Sequence, residues 1–188
     1  MHPTTVSDSS PSAATATTDR AGTAETPSDA ATAAACRQAQ DLLFFAYRDF
    51  TNAADVVLEE LGLGRAHHRA LHFIGRNPGM TVTELLGILR ITKQALARVL
   101  GALVEQGYVA QDTGEIDRRQ RLLSLSAKGV ALEARLFARQ CARLAPALAA
   151  AEPEAAAGFR TVLRAIMDDS ARAYLDAAAG AEDKHDGR

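Results

Sequence analysis

From residue 36 to 61 the apolar residues Leu42, Leu43, Phe45, Ala46, Phe50, Ala53, Ala54, Val57, Leu58 and Leu61 recur at spacings of three and four. That is the period of a helix with one buried face, and it predicts a long first helix ending near Gly62 and Gly64. A shorter helix over about 65–76 follows through Ala70, Leu71, Phe73 and Ile74, and the run Arg76-Asn77-Pro78-Gly79 turns the chain. Thr81 stands three residues before Glu84, a capping-box spacing that opens a helix of about 82–89. Only Arg90 and Ile91 separate it from Thr92, a second N-cap residue, which starts a helix through Leu96, Val99, Leu100, Leu103 and Val104 to a stop at Gly107. Two helices joined so tightly must cross steeply, which makes a helix-turn-helix.

After Gly107 the segments YVAQ and RLLSLS read as two short strands around the polar stretch DTGEIDRRQ, a hairpin with a long charged tip. Ser126 then caps a helix of about 127–144 carrying Leu132, Leu136, Ala138 and Leu144. Pro146 and Pro153 are expected to interrupt the chain before a last helix of about 154–178 with Phe159, Val162, Leu163, Ile166, Tyr174 and Leu175. The expected fold is mainly α with a small β-hairpin wing, a winged helix-turn-helix embedded in a helical dimerisation domain. Its parts are a Ser/Thr/Ala/Pro-rich tail (1–35), an N-terminal dimerisation helix (36–62), the winged unit (63–125), C-terminal dimerisation helices (126–180) and a frayed end (181–188). The tail lacks large apolar residues and is expected to be disordered. The long outer helices have no globular centre left for them in the same subunit, so a C2 homodimer in which they interlock is expected.

Length and composition narrow the class. A chain of 188 residues with 47% hydrophobic and 23% charged residues holds one ordinary domain with appendages and has no room for a large multidomain enzyme. Two cysteines, Cys36 and Cys141, form neither a disulfide framework nor a CxxC metal ladder. No apolar run reaches the ~20 residues that cross a bilayer, and the start lacks the basic-then-apolar order of a signal peptide, so a cytoplasmic protein without a membrane partner is expected. The formal net charge is −2, yet residues 62–128 hold ten Lys/Arg against five Asp/Glu. An acidic or neutral frame thus surrounds a basic middle, the footprint of a polyanionic partner.

Double-stranded DNA fits that middle. A helix in the major groove presents polar residues to base edges and basic ones to phosphates while its apolar face stays on the domain. Thr92 and Lys93 stand at the helix N-terminus, where backbone N–H groups favour a phosphate. Gln94 can pair bidentately with adenine, and Arg98, one turn on, can reach guanine or a phosphate. Arg118, Arg119 and Arg121 lie on the hairpin, suited to the narrow minor groove, and Asp117 is expected to structure the tip by pairing with Arg98 or Arg119. No Gly-rich phosphate loop, HExxH or nucleophile elbow is present, so neither an enzyme nor a cofactor is expected. His68 and His72 share a helix face beside His67, but no further ligands of suitable spacing accompany them, and no metal is expected. Cys36 near the start of the first helix is a candidate oxidant sensor, and Cys141 a packed small hydrophobe.

The stretch LGLGRAHHRALHFIGRNPGMTVTELLGILRITKQALARVLGALVEQGYV, followed by DRRQRLLSLSAKG, resembles the MarR family of bacterial transcription regulators. The resemblance covers about residues 38–145. It implies a dimer whose winged domains bind adjacent major grooves of a pseudopalindrome. Thr92, Lys93, Gln94 and Arg98 would fall on the recognition helix, Asp117 and Arg119 on the wing's acid and minor-groove arginine. It also implies a small-molecule effector or oxidant that releases DNA from a crevice between dimer helices and DNA-binding domain, with Tyr47, Phe50, His68 and His72 as candidate lining residues. Arg90 stands where the family often has glycine, so the turn carries strain of order 1 kcal/mol, or Arg90 adds a phosphate contact. The expected function is a repressor released by an effector. The alternatives are a winged-helix protein-interaction module that has lost DNA recognition, and a redox- or metal-responsive regulator of the same fold.

Overall fold

The computed structural model describes residues 27–114 and 120–185. Its element order is α1 (Pro27–Glu60), α2 (Arg65–Arg76), β1 (Met80–Thr81), α3 (Val82–Leu89), α4 (Lys93–Glu105), β2 (Val109–Thr113), β3 (Arg121–Leu125), α5 (Ala127–Ala150), α6 (Pro153–Ile166) and α7 (Asp169–His185). The chain divides into two units, 1–42 and 43–188. In the first, the described part is helical; in the second lie the helix-turn-helix, the sheet and the outer helices. Among the described residues no helix is long and apolar enough to cross a membrane.

Glycine and capping residues set the boundaries as the sequence predicts. Gly62 (φ 66) ends α1, with its N–H on the Glu59 carbonyl and the Leu63 N–H on that of Leu58. Gly107 (φ 72) ends α4 in the same Schellman arrangement, its N–H on Val104 and the Tyr108 N–H on Leu103. The capping box forms: the Glu84 N–H donates to Thr81 Oγ1 at 3.2 Å, and the Thr81 N–H donates to Glu84 Oε2 at 2.7 Å. Thr92 Oγ1 accepts the Ala95 N–H at 3.2 Å, and Ser126 Oγ accepts the Gly129 N–H at 3.0 Å.

The core gathers Ala54, Val57 and Leu58 of α1, Leu71 and Ile74 of α2, Leu85 and Leu89 of α3, Leu96, Leu100 and Leu103 of α4, and Leu132 and Leu136 of α5. The sheet closes one side in the order β1-β3-β2, both pairings antiparallel, with Leu123 facing Met80 on one side and Gln111 on the other. Only Val109 of β2 is buried, so the hairpin leaves the core and projects as a wing.

Four boundaries differ from expectation. First, α1 begins at Pro27 rather than Cys36, inside the segment expected to be disordered. Residues 30–35 are almost all alanine, which forms helix without apolar packing, and Pro27 with Asp29 in the first turn suits a helix start. Second, α5 runs through Pro146 to Ala150. Proline's fixed φ is helical, so a single backbone hydrogen bond is lost for want of an N–H while the surrounding alanines keep the helix going. Third, the last helix is two, broken at Met167–Asp168: Asp168 Oδ1 accepts the Ala171 N–H at 2.9 Å and caps α7 as a fresh start, and α7 reaches His185 inside the end expected to fray. Fourth, Met80 and Thr81 add a third strand too short to show as a periodic run.

Candidate nucleic-acid interface

Helix α4 separates its two faces cleanly. Leu96, Val99, Leu100 and Leu103 are buried, whereas Lys93, Gln94, Ala97, Arg98 and Gly101 are exposed. Gln94 and Arg98 stand four apart and therefore on one face, with Lys93 at the capped N-terminus beside them. Among the described residues their side chains make no hydrogen bond or ion pair, so their donors are open to a partner. Thr92 spends its hydroxyl oxygen on the Ala95 N–H, which leaves its O–H to donate outward.

The wing stands next to this helix in the chain, and its base is well defined. Gly114 donates its N–H to the Gln120 carbonyl at 3.1 Å, closing the loop, and Arg121 Nη1 donates across the strands to Thr113 Oγ1 at 3.2 Å. Arg121 is exposed beyond that bond. Asp117, Arg118 and Arg119 lie outside the described residues.

Arg90 is engaged within the chain. It is the non-glycine residue with positive φ (51°) among the described residues, capping α3 in the left-handed region. Its guanidinium turns to the start of α7, with Nη1 2.6 Å from Asp168 Oδ2 and Nη2 donating to Ser170 Oγ at 2.7 Å. Ser170, the Ala171 N–H and Arg90 together hold the Asp168 carboxyl below its usual range, the serine hydrogen bond first.

Two clefts flank the unit. The larger, ≈ 970 Å³, lies between the α2–α3 region and α7, with Phe73, Met80, Ile88 and Leu175 as apolar lining and Asn77 and Arg90 among the polar residues. The smaller, ≈ 380 Å³, includes His72, Glu133 and Phe137. Of the four residues expected to line an effector site, His72 borders this second cleft, while Tyr47, Phe50 and His68 line neither. His72 Nδ1 lies 3.6 Å from Glu133 Oε1, and the half-buried His68 has its pKa lowered by burial first and by His72 second. His67 Nδ1 accepts the Gly64 N–H at 3.0 Å and fastens the start of α2. Among the described residues no three metal-binding side chains gather. Cys36 is exposed, Cys141 half-buried, and both are free.

One connection is not visible in any single motif: the joint where α4 ends and α5 begins. Ser126 Oγ donates to the Gly107 carbonyl at 2.6 Å, the Ser126 N–H donates to the Tyr108 carbonyl at 3.0 Å, and Lys128 Nζ donates to the Gln106 carbonyl at 2.8 Å. Lys128 also sits 4.3 Å from the centroid of the Tyr108 ring, a cation–π contact. The motif Ser-x-Lys-Gly thus welds the end of α4 to α5. Its signal in the sequence was the stretch LSLSAKG, whose lysine has no meaning until Gln106 is known to stand opposite.

Comparison with known proteins agrees with this architecture. The sequence model of the MarR family matches residues 61–120. The chain is 47% identical over 146 residues to the HTH-type transcriptional regulator PetP of Rhodobacter capsulatus, a match spanning 78% of this chain and 88% of that protein. Its fold is similar to that of Streptococcus pneumoniae FabT crystallised with DNA, at a TM-score of 0.61 and 19% identity over 68% of this chain and 91% of that one. It is also similar to a MarR family protein of Mycobacterium tuberculosis in complex with p-aminosalicylic acid, at a TM-score of 0.50 and 26% identity over 68% of this chain and 96% of that one. With a capped helix-turn-helix, a projecting hairpin and this degree of identity to a known regulator, the chain belongs to the MarR family of DNA-binding transcription regulators.

Proposed function

We propose that the protein acts as a homodimeric repressor that reads a pseudopalindromic operator and is released from it by a small molecule. The observation that carries the reading is the unpartnered face of α4, on which Lys93, Gln94 and Arg98 stand together above a fully apolar inner face. Gln94 reads a base edge and Arg98 a guanine or phosphate. Thr92, Lys93 and Arg121 bind phosphates, Arg118 and Arg119 enter the minor groove, and Asp117 shapes the wing tip.

The dimer rests on apolar faces that one chain leaves in water. Helix α6 has no buried residue, and Phe159, Val162 and Ile166 on it are 47%, 61% and 63% exposed. Phe137, Leu144 and Leu148 of α5 and Phe44, Phe45 and Tyr47 of α1 are exposed as well. Large exposed apolar faces mark interfaces, and a second copy presenting the same faces covers them with twofold symmetry.

For the effector, the ≈ 970 Å³ cleft lies within the size range of small-molecule sites. Its mixture of apolar lining with Asn77 and Tyr174 suits an aromatic molecule with a polar substituent, and the Mycobacterium tuberculosis relative holds such a compound. We therefore favour this cleft over a site built from Tyr47, Phe50, His68 and His72. The bound effector shifts the population toward a spacing of recognition helices that the operator does not fit.

Fluorescence anisotropy on the DNA upstream of the protein's own gene tests the reading, with random DNA as competitor and salt as a variable. Gln94→Ala is expected to cost roughly 1–3 kcal/mol at its base pair and relax sequence preference there. Arg119→Ala is expected to weaken binding on all sequences and reduce the salt slope by about one. Binding erased equally by random DNA, with both variants like the parent, would sink this assignment of the reading surface.

A further inference from the structure

The strained turn of the helix-turn-helix is held from two sides. On one, Arg69 Nη2 of α2 donates to the Leu89 carbonyl at 2.8 Å, occupying an end carbonyl of α3. On the other, Arg90 reaches across 80 residues of chain to Asp168 and Ser170. A second attachment lies beside it: Asn77 Nδ2, which also caps α2 through the Phe73 carbonyl, donates to Tyr174 Oη at 2.8 Å. The Phe73 and Tyr174 rings meet edge to face at 5.5 Å. Helix α7 is therefore fastened to the reading unit by two polar contacts one turn apart, at Ser170 and Tyr174.

We propose that Arg90 is a positioning residue: its backbone makes the α3–α4 turn, while its guanidinium, held by Asp168 and Ser170, ties the start of the recognition helix to the C-terminal helix. Thr92, the N-cap of α4, is two residues from Arg90, so a shift of α7 is delivered directly to the end of α4 that carries Lys93 and Gln94. The side chain accounts for arginine at a position whose φ favours glycine. A glycine makes the same turn with less strain and cannot reach α7. The ion pair is exposed on both sides, 63% and 47%, and so adds little to overall stability. Its effect lies in fixing the geometry of the turn. This inference rests on the DNA-binding reading for its consequence but not for the contact itself.

The decisive variant is Asp168→Asn. Asparagine still accepts the Ala171 N–H and caps α7, but it has no charge for Arg90. Operator affinity is expected to fall about tenfold, in the range of ordinary intersite couplings, with the slope of log affinity on log salt unchanged. Arg90→Gly is expected to match it, and the double variant to be no weaker than either single one, because both break one link. Affinity equal to the parent would mean that the tie does not position the helix, and tighter binding with a slope steeper by about one would mean that Asp168 merely withholds a phosphate-binding arginine; either result overturns the proposal. Hydrogen exchange without DNA supplies the independent arm. Asp168→Asn should speed exchange both at the amides of 90–92 and at those of 170–174. Unchanged exchange refutes the tie whatever the DNA does. Faster exchange in a protein that binds no operator refutes the regulator reading and leaves the tie standing.

Discussion

The winged unit and the outer helices carry the same three-and-four apolar spacing, yet they spend it differently. In the winged unit Leu71, Ile74, Leu85, Leu103 and Leu123 are 0% exposed, because α2, α3, α4 and the sheet follow one another closely and fold onto each other. In α6 the spacing is as regular, but no residue is buried. Periodicity states that a face will be covered, not by what. Where the covering elements are near in sequence the chain supplies them; where they are not, the face stays open in one chain and is left to the proposed second copy.

The largest expected effect tests that contrast directly. Leu103→Ala removes a fully buried side chain between α4 and its neighbours and is expected to destabilise the protein by about 2–5 kcal/mol in urea unfolding. Val162→Ala, on the exposed face of α6, is expected to change the stability of the dilute monomer by under about 0.5 kcal/mol. Val162→Asp should instead shift the monomer–dimer equilibrium measured by sedimentation, since it places a charge in the face a second copy would cover. A monomer destabilised as much by Val162→Ala as by Leu103→Ala would erase the distinction between the two regions.

A smaller effect is expected at the joint between them. A Cβ on Gly129 would lie 2.0 Å from the Tyr108 carbonyl oxygen, a backbone atom that cannot swing aside. Gly129→Ala must therefore push α5 from the end of α4 and is expected to cost about 1–3 kcal/mol. Ser126→Ala, which loses the cap on Gly129 and the bond to Gly107, should cost about 1 kcal/mol. If the joint transmits orientation, both variants weaken operator binding more than nonspecific binding, whereas mere loss of stability lowers the two together.

What the sequence made legible follows from the range of the forces involved. The helix-turn-helix was readable because its signals are local: Thr81 with Glu84, Thr92 with Ala95, Gly107 at a helix end. The polar face of α4 followed from the apolar one. The Arg90–Asp168 and Asn77–Tyr174 contacts were not readable, since each joins residues about 80 to 100 positions apart and no local pattern marks either partner. The α6–α7 break had a local signal in Asp168-Asp169-Ser170, an N-cap sequence, hidden inside an apolar period that runs across it. The alanine-rich start of α1 misled for the opposite reason: absence of apolar side chains argues against a core, not against a helix.

The smallest expected effect separates the regions by pH. His68 on α2 is half-buried, and burial lowers its pKa from the ordinary 6.5, with His72 adding to the shift and Asp55 opposing it. His67 shifts the same way, again chiefly by burial. Because the folded state holds these imidazoles neutral more firmly than the unfolded chain does, their contribution to stability is complete above about pH 6.5 and is lost as the pH falls below it. The capping carboxylate of Glu84, lowered from 4.5 by its bonds to Thr81, gives way only in a separate and more acidic window. Urea midpoints from pH 7.5 to 5.5 should therefore decline in the parent and decline less in His68→Gln. The α6 variant Val162→Ala should follow the parent's slope throughout, since its helix carries no histidine. A parent midpoint that rises on acidification would mean that the Asp55 carboxylate, not burial, governs the charge of His68 on the α1–α2 face.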